Sequence, residues 1–316
     1  MAGIAYLQIT RKCNQNCIFC SNPDNNEVRS MEDAKNTILK FRDLNYDGVI
    51  LTGGEPTVYD GLPELIAHCR QNGIPSRIIS NGQNLADKGY LNTLARAGLD
   101  HIHLSLHSFK DDVQSELTGN PGSLENLTNA LENCGRTGIS ININTVINSY
   151  NAGHLHLTVK WLIHNFPFIR HFVWNNLDPF MNRVEQNRHV IAQLQDFEVS
   201  LFKAALFLKR NNRTFRIERV PLCYMAEFAE FSTETRKIIK NEKRAISFLD
   251  NRGDYSQDNF FYEKGPPCQV CELNPVCAGL YGGDAYFPFD DLFPVFMNRK
   301  RIMDAILNPK PIREAI

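Results

Sequence analysis

Short apolar runs recur along the first 180 residues: AYLQIT, GVILT, SRIIS, HIHLSLH, ISININTVI and RHFVWNN. Between them the apolar spacing changes to steps of three and four residues near 31–45, 60–72, 86–97, 123–136 and 154–165, the period of helices. Strands alternating with helices predict successive βαβ units around a parallel sheet. Several strands also alternate in polarity. In HIHLSLH, Ile102, Leu104 and Leu106 oppose His101, His103, Ser105 and His107; in ISININ, Ile139, Ile141 and Ile143 oppose Ser140, Asn142 and Asn144; in YLQIT, Leu7 and Ile9 oppose Gln8 and Thr10. A parallel strand covered on both faces is apolar throughout. The polar face therefore lines a cavity, as in an open barrel, or faces water; crossover helices usually cover a water-facing side, which favours the cavity.

Beyond the sixth strand, Ile191, Leu194, Phe197, Leu201, Ala205 and Leu208 predict a long covering helix over about 186–211, followed by a short strand-like run, TFRIERVP. We place a first domain at 1–212 and a smaller one at 213–316.

With 316 residues, 43% of them hydrophobic and 22% charged, the chain can bury an enzyme-sized core. The net charge of −1, with both signs interspersed, argues against nucleic acid and anionic membranes as partners. No run of about 18 apolar residues occurs, and MAGIAYLQIT has no charged region or cleavage site, so a cytoplasmic protein is expected. Nine cysteines, six of them at short spacings, fit metal ligation in a reducing compartment better than disulfides.

Cys13, Cys17 and Cys20 follow the first strand. Closed iron-sulfur and zinc sites take four protein ligands, and the next cysteine, Cys69, lies far along the chain, so a cofactor is expected to complete the site. Gly53-Gly54-Glu55-Pro56 follows the second strand and Asn81-Gly82 the third, at the rim where ligands of parallel α/β folds collect. Adjacent glycines admit close backbone approach, and a carboxylate beside them can accept from an ammonium group.

These motifs, Cys13-x-x-x-Cys17-x-Phe-Cys20, Gly53-Gly54-Glu55, Ser80-Asn81 and Ser105, resemble those of the radical S-adenosylmethionine (SAM) enzymes over about residues 4–180. The resemblance implies an α/β fold with a partial (β/α)6 parallel barrel. It also implies a 4Fe-4S cluster on Cys13, Cys17 and Cys20, with SAM on the fourth iron cleaved to methionine and a 5′-deoxyadenosyl radical that abstracts a substrate hydrogen atom. It places Gly53, Gly54 and Glu55 at the methionine amino group and Ser80 and Asn81 at the ribose. Ser105 falls at the ribose or carboxylate, Phe19 at the adenine, and Asn144 and Val173 are further contacts. No protein general base is required, so His101, His103 and His107 are not assigned catalytic roles; His103 and His107 are expected to line the cavity.

Farther on, Cys268, Cys271 and Cys277 stand in GPPCQVCELNPVCAGLYGG, and Cys223 is the remaining cysteine of this half. Four thiolates suit zinc as well as iron. The segment resembles the SPASM or twitch extensions of radical SAM enzymes, which implies one auxiliary 4Fe-4S cluster; the position four beyond Cys277, a cysteine in the full SPASM pattern, is Tyr281. A free Cys223 could instead donate a hydrogen atom to a substrate radical. Cys69 and Cys134 sit on predicted helices and read as structural.

The resemblance further implies peptide or protein modification by crosslink, thioether, epimerisation or oxidation, with dehydrogenation of a small molecule as an alternative. The first strand begins near residue 4, so no N-terminal peptide-recognition module is expected. A peptide would then need a separate recognition protein or dock directly, and a flavodoxin or ferredoxin would supply electrons. Outside the enzymes, an iron-sulfur electron carrier or a zinc-structured binding module would need neither the Gly-Gly-Glu turn nor a polar lumen.

Overall fold

The computed structural model describes residues 3–22, 25–180, 182–242, 244–249, 253–257 and 262–309. Six strands form where the apolar runs lie: β1 (Ile4–Thr10), β2 (Gly48–Gly53), β3 (Ser76–Ser80), β4 (His101–Ser105), β5 (Ser140–Ile147) and β6 (His171–Asn176). They pair in parallel in chain order. The helices that return between them are α1 (Met31–Asp43), α2 (Leu62–Gln71), α3 (Lys88–Ala97), α4 (Asp111–Thr118), α5 (Ser123–Cys134) and α6 (Leu155–Asn165). This is the expected partial (β/α)6 barrel.

The core lies between the sheet's outer face and these helices. Ala5, Leu7 and Ile9 of β1, Val49 and Leu51 of β2, Ile78 of β3 and Ile102 and Leu104 of β4 are completely buried there. Each of these fully buried Val, Leu and Ile side chains contributes about 1.5–3 kcal/mol. Cys69 and Cys134 are buried in the same core, with burial pushing both thiols up to about 12. On the opposite face Tyr6, Gln8, Arg77, Ile79, His101, His103, Ser105, Asn144, His171, Val173 and Asn175 are all half-buried. The polar side of each alternating strand thus lines an open lumen.

The sheet does not end at residue 212. A seventh strand, β7 (Thr214–Glu218), pairs in parallel with β6, where TFRIERVP reads as strand-like. At the other edge β8 (Arg244–Ser247) pairs in parallel with β1, and β9 (Asp254–Gln257) runs antiparallel to β8. The order is β7-β6-β5-β4-β3-β2-β1-β8-β9, so residues expected in a second domain complete both edges of the barrel sheet. Arg29 pins the β1 edge: its guanidinium donates to Gln8 O (2.9 Å), Ser247 Oγ (3.2 Å) and Phe248 O (2.8 Å) and meets Asp33 of α1.

Two local expectations are corrected. The covering helix, α7 (Leu194–Arg210), begins eight residues later than 186, at a capping box in which Gln193 and Asp196 exchange hydrogen bonds; a 3-10 turn (Arg188–Val190) precedes it. The short α4 was unexpected, yet its acidic first turn (Asp111, Asp112) and the left-handed Gly119 after it, φ 59°, are ordinary start and stop signals. Beyond β7 come α8 (Thr233–Lys240), a two-stranded ribbon of β10 (Tyr262–Glu263) and β11 (Leu280–Tyr281), and α9 (Arg299–Leu307). No helix among the described residues is long and apolar enough to cross a membrane.

Candidate active site

The Cys13–Cys20 loop leaves the C-terminal end of β1 and is held from three sides. From α4, the carbonyls of Thr118 and Leu117 accept from Asn16 N (2.9 Å) and Ile18 N (3.1 Å). From the segment after β6, Arg183 donates to Cys17 O (3.2 Å) and Asn187 to Ile18 O (3.3 Å). From below, Asn22 donates to Arg11 O (2.7 Å) and Gln15 to Ser123 Oγ (3.0 Å). These supports were not assigned from the sequence.

The glycine turn meets this loop backbone to backbone. Gly54 N donates to Thr10 O (2.6 Å) and Glu55 N to Lys12 O (2.9 Å). A Cβ on Gly54 would fall 2.1 Å from Lys12 O, and one on Gly53, φ +132°, 2.1 Å from Thr10 O. Only glycine allows this approach.

Glu55 ties the turns together. It is 1% exposed, and its carboxylate accepts from Thr57 N (3.0 Å), Thr57 Oγ1 (2.7 Å), Ser80 Oγ (2.8 Å) and Asn81 N (2.7 Å). Burial raises its pKa, and the four donors oppose that shift by favouring the carboxylate. Ser80, also 1% exposed, accepts from Gly82 N (3.0 Å) as well. Both side chains are therefore engaged within the protein, and it is the Asn81 amide that reaches the rim, donating to Asn14 Oδ1 (2.7 Å) with Cys13 Sγ 3.8 Å away.

Phe19 is 7% exposed and stands edge-on to His107, centroids 4.8 Å apart, in a small apolar cluster with Leu117, Leu177, Val184 and Val190. His107 lies past the end of β4 and its Nδ1 accepts from Val146 N (3.2 Å), placing the neutral ring's proton on Nε2. Burial lowers its pKa to about 4. Ser105 and Asn144 face the lumen in register, with Asn144 Oδ1 accepting from Asn175 Nδ2 (2.6 Å) and Val173 beside them on β6.

Cys13 is exposed and Cys17 half-buried; burial raises both pKa values, and Cys20 raises them further through its charge. Three soft sulfurs thus share one loop within electrostatic reach. Among the described residues no three His, Cys, Asp or Glu side chains converge on a single ion, and Glu55, the nearby carboxylate, is already occupied. Sulfurs that each bind a different iron need not converge, so the donor set fits a cluster with one iron left to an external ligand.

The structure also brings Cys223, Cys268, Cys271 and Cys277 to the lining of one small cavity that Phe293 lines as well. Cys223 lies on a 3-10 turn (Leu222–Tyr224) just past β7, and burial pushes its thiol up to about 12, with Cys277 and Cys268 adding charge repulsion. Cys271 Sγ accepts from Val295 N (3.4 Å). Tyr281 points the other way, donating to Asp178 Oδ2 (2.7 Å) under the Arg219 guanidinium, 4.8 Å above its ring.

A partial barrel carrying a three-thiol loop after its first strand and a glycine turn packed against that loop defines a radical SAM protein. The family profile of the radical SAM superfamily matches residues 7–162, and the chain belongs to that superfamily. It is 30% identical over 157 residues to a PqqA peptide cyclase of Methylocella silvestris, covering 48% of this chain and 42% of the relative. With a GTP 3′,8-cyclase of Clostridium perfringens it shares 31% identity over 156 residues, 46% of this chain and 47% of the relative. The chain thus spans less than half the length of these curated relatives. Among solved structures, Streptococcus suis SuiB bound to its precursor peptide SuiA superposes with a TM-score of 0.66 at 17% identity, over 93% of this chain and 74% of SuiB. Native anSMEcpe with bound AdoMet and a Cp18Cys peptide gives 0.65 at 14% identity, over 97% of both chains. These similarities show a shared fold that extends beyond the barrel.

Proposed function

We propose that this protein modifies a peptide by radical SAM chemistry, with Cys13, Cys17 and Cys20 holding a 4Fe-4S cluster. The observation that carries the reading is the packing of the Gly53-Gly54 turn against the Cys13 loop, which sets the three sulfurs of that loop at the mouth of a polar lumen. When bound, the cluster and SAM supply a 5′-deoxyadenosyl radical able to take a hydrogen atom from an unactivated carbon. The chain's own residues bind, orient and exclude water. The backbone around Gly53 and Gly54 and the Asn81 amide form the rim on one side, with Ser105 and Asn144 in the lumen on the other and Phe19 as the apolar wall. Glu55 and Ser80 act through these groups by fixing the turns that carry them. Val173 contributes packing.

Cys223, Cys268, Cys271 and Cys277 form a second, auxiliary 4Fe-4S site in the C-terminal region. Their common cavity supports four ligands, and the resemblance of this segment to SPASM or twitch extensions supports iron-sulfur over zinc. This reading leaves Cys223 a ligand rather than a hydrogen-atom donor. Peptide substrates are supported by the fold shared with the peptide complexes of SuiB and anSMEcpe and by the similarity to PqqA peptide cyclase. An electron donor such as flavodoxin or ferredoxin, and a separate recognition protein, belong to the same reading, as does a cytoplasmic location.

The test is anaerobic reconstitution followed by dithionite and SAM. Wild-type protein should form 5′-deoxyadenosine and Cys17→Ala should not; equal yields from both would refute the assignment.

A further inference from the structure

Of the three supports of the Cys13–Cys20 loop, the one that arrives from beyond β6 also brings a permanent charge. Arg183 donates through Nη1 to Cys17 O (3.2 Å) and through its backbone N to Cys20 O (3.4 Å). It lines the same open polar cleft as Cys13 and Cys20, with Arg11 as a second cation there. Its charge reaches the sulfur of Cys17, where it favours the thiolate against the opposing effect of burial.

The segment that carries Arg183 is anchored from within the protein. Val184, the next residue, is completely buried in the Phe19 cluster. Asn187 Nδ2 donates to Ile18 O (3.3 Å) and to Arg183 O (2.9 Å), and Asn187 N donates to Val184 O (3.0 Å). The half-buried guanidinium is thus held against the loop by the fold itself. The carboxylates around it have other settings. Glu55 accepts from four donors, Glu116 of α4 accepts from Tyr150 Oη (2.9 Å), and Glu185 is exposed.

A cluster held by three thiolates takes on one further negative charge when it is reduced. A fixed cation beside its ligands stabilises the reduced state more than the oxidised one, and at a half-buried position the attraction is only partly screened. We propose that Arg183 sets the reduction potential of the Cys13 cluster, holding it higher than the three thiolates alone would. The step concerned is the uptake of one electron: the donor is oxidised, the cluster is reduced, and the protein makes and breaks no bond. Arginine suits this role because its charge persists at any pH below about 12.

This inference rests on the Cys13 loop holding an iron-sulfur cluster, and its test is separable from that reading. Iron content and 5′-deoxyadenosine formation by the wild type report on the cluster and its chemistry. Redox titration of the reconstituted protein without SAM, followed by the EPR signal of reduced cluster, reports on Arg183. The signal of the Cys13 site is the one that changes when SAM is added afterwards. Arg183→Gln keeps a donor for Cys17 O and removes the charge. At the wild-type midpoint its ratio of reduced to oxidised cluster should fall about tenfold, ~59 mV for one electron, while Arg183→Lys should stay within about threefold of wild type. An Arg183→Gln protein within about twofold of wild type, or an Arg183→Lys protein that falls as far as Arg183→Gln, would overturn the assignment. A purely structural role would lower the iron content of both variants and leave the midpoint of the clusters that form unchanged, which also overturns it. Where Arg183→Gln takes up no iron, Arg183→Lys decides alone: a ratio within about threefold of wild type supports the assignment, and a fall of about tenfold overturns it.

Discussion

Replacing Gly54 by alanine adds a single methyl group, yet the structure gives it nowhere to go. The new Cβ would lie 2.1 Å from Lys12 O and 2.6 Å from Arg11 O, where favourable non-bonded separations are about 3.5–4.0 Å. Both atoms are backbone, so no side chain can swing aside; the segment leading into Cys13 must retreat by about 1 Å. Retreat weakens the hydrogen bonds Gly54 N→Thr10 O and Glu55 N→Lys12 O, each worth about 0.5–1.5 kcal/mol net, on top of about 1–3 kcal/mol for overpacking. The expected loss is therefore roughly 2–6 kcal/mol, a large share of a typical domain's 5–15 kcal/mol. Urea unfolding of the anaerobic protein measures it, with Gly138→Ala as the control, since nothing lies within 4 Å of that Cβ. The displaced loop should also take up less iron at the Cys13 site. A Gly54→Ala protein within about 1 kcal/mol of wild type and with full iron would refute the claim that this close approach shapes the site.

Glu55→Ala should cost at least about 3 kcal/mol in the same assay, because four donors lose their buried acceptor; Glu55→Gln should recover part of this by keeping one accepting oxygen. Cys223→Ala should remove about four irons, the content of one cluster, while leaving SAM cleavage detectable; unchanged iron would mean that Cys223 is a free thiol. His107 makes stability pH-dependent: its folded pKa of about 4 lies below the unfolded value of about 6.5, so its contribution is complete above pH 6.5 and declines as pH falls toward 4, by about 2 kcal/mol at pH 5. His107→Phe should flatten the unfolding midpoint between pH 7 and pH 5 relative to wild type, and an unchanged slope would contradict the buried neutral ring.

Much of the barrel was readable from periodicity because a βα unit is locally encoded: each strand's alternation and each helix's apolar stripe depend on residues within one segment. Ile102 and Leu104 against His101 and His103 showed the two faces of β4 before any contact was known, and their burial follows that division. The boundary near residue 212 was not readable in the same way. Whether TFRIERVP starts a new domain or extends the sheet depends on the free edge of β6, which lies in another segment. The start of α7 was misplaced because Val190 and Ile191 keep a helical spacing while the Gln193–Asp196 capping box decides where hydrogen bonding begins.

At the site, the sequence by itself determined the soft donors: cysteine spacing on one loop, adjacent glycines after the next strand and a second group of cysteines are chemical facts of residue type and order. Tertiary structure decided how they are used. It turned Glu55 and Ser80 inward to join three turns, brought Cys223 across from the end of β7 to Cys268, Cys271 and Cys277, and laid Arg183, from the segment after β6, against the Cys13 loop. Sequence spacing can specify which groups are available, but which of them are satisfied by protein and which are left for a ligand depends on partners distant in the chain, and burial and hydrogen bonding are settled only when those partners meet.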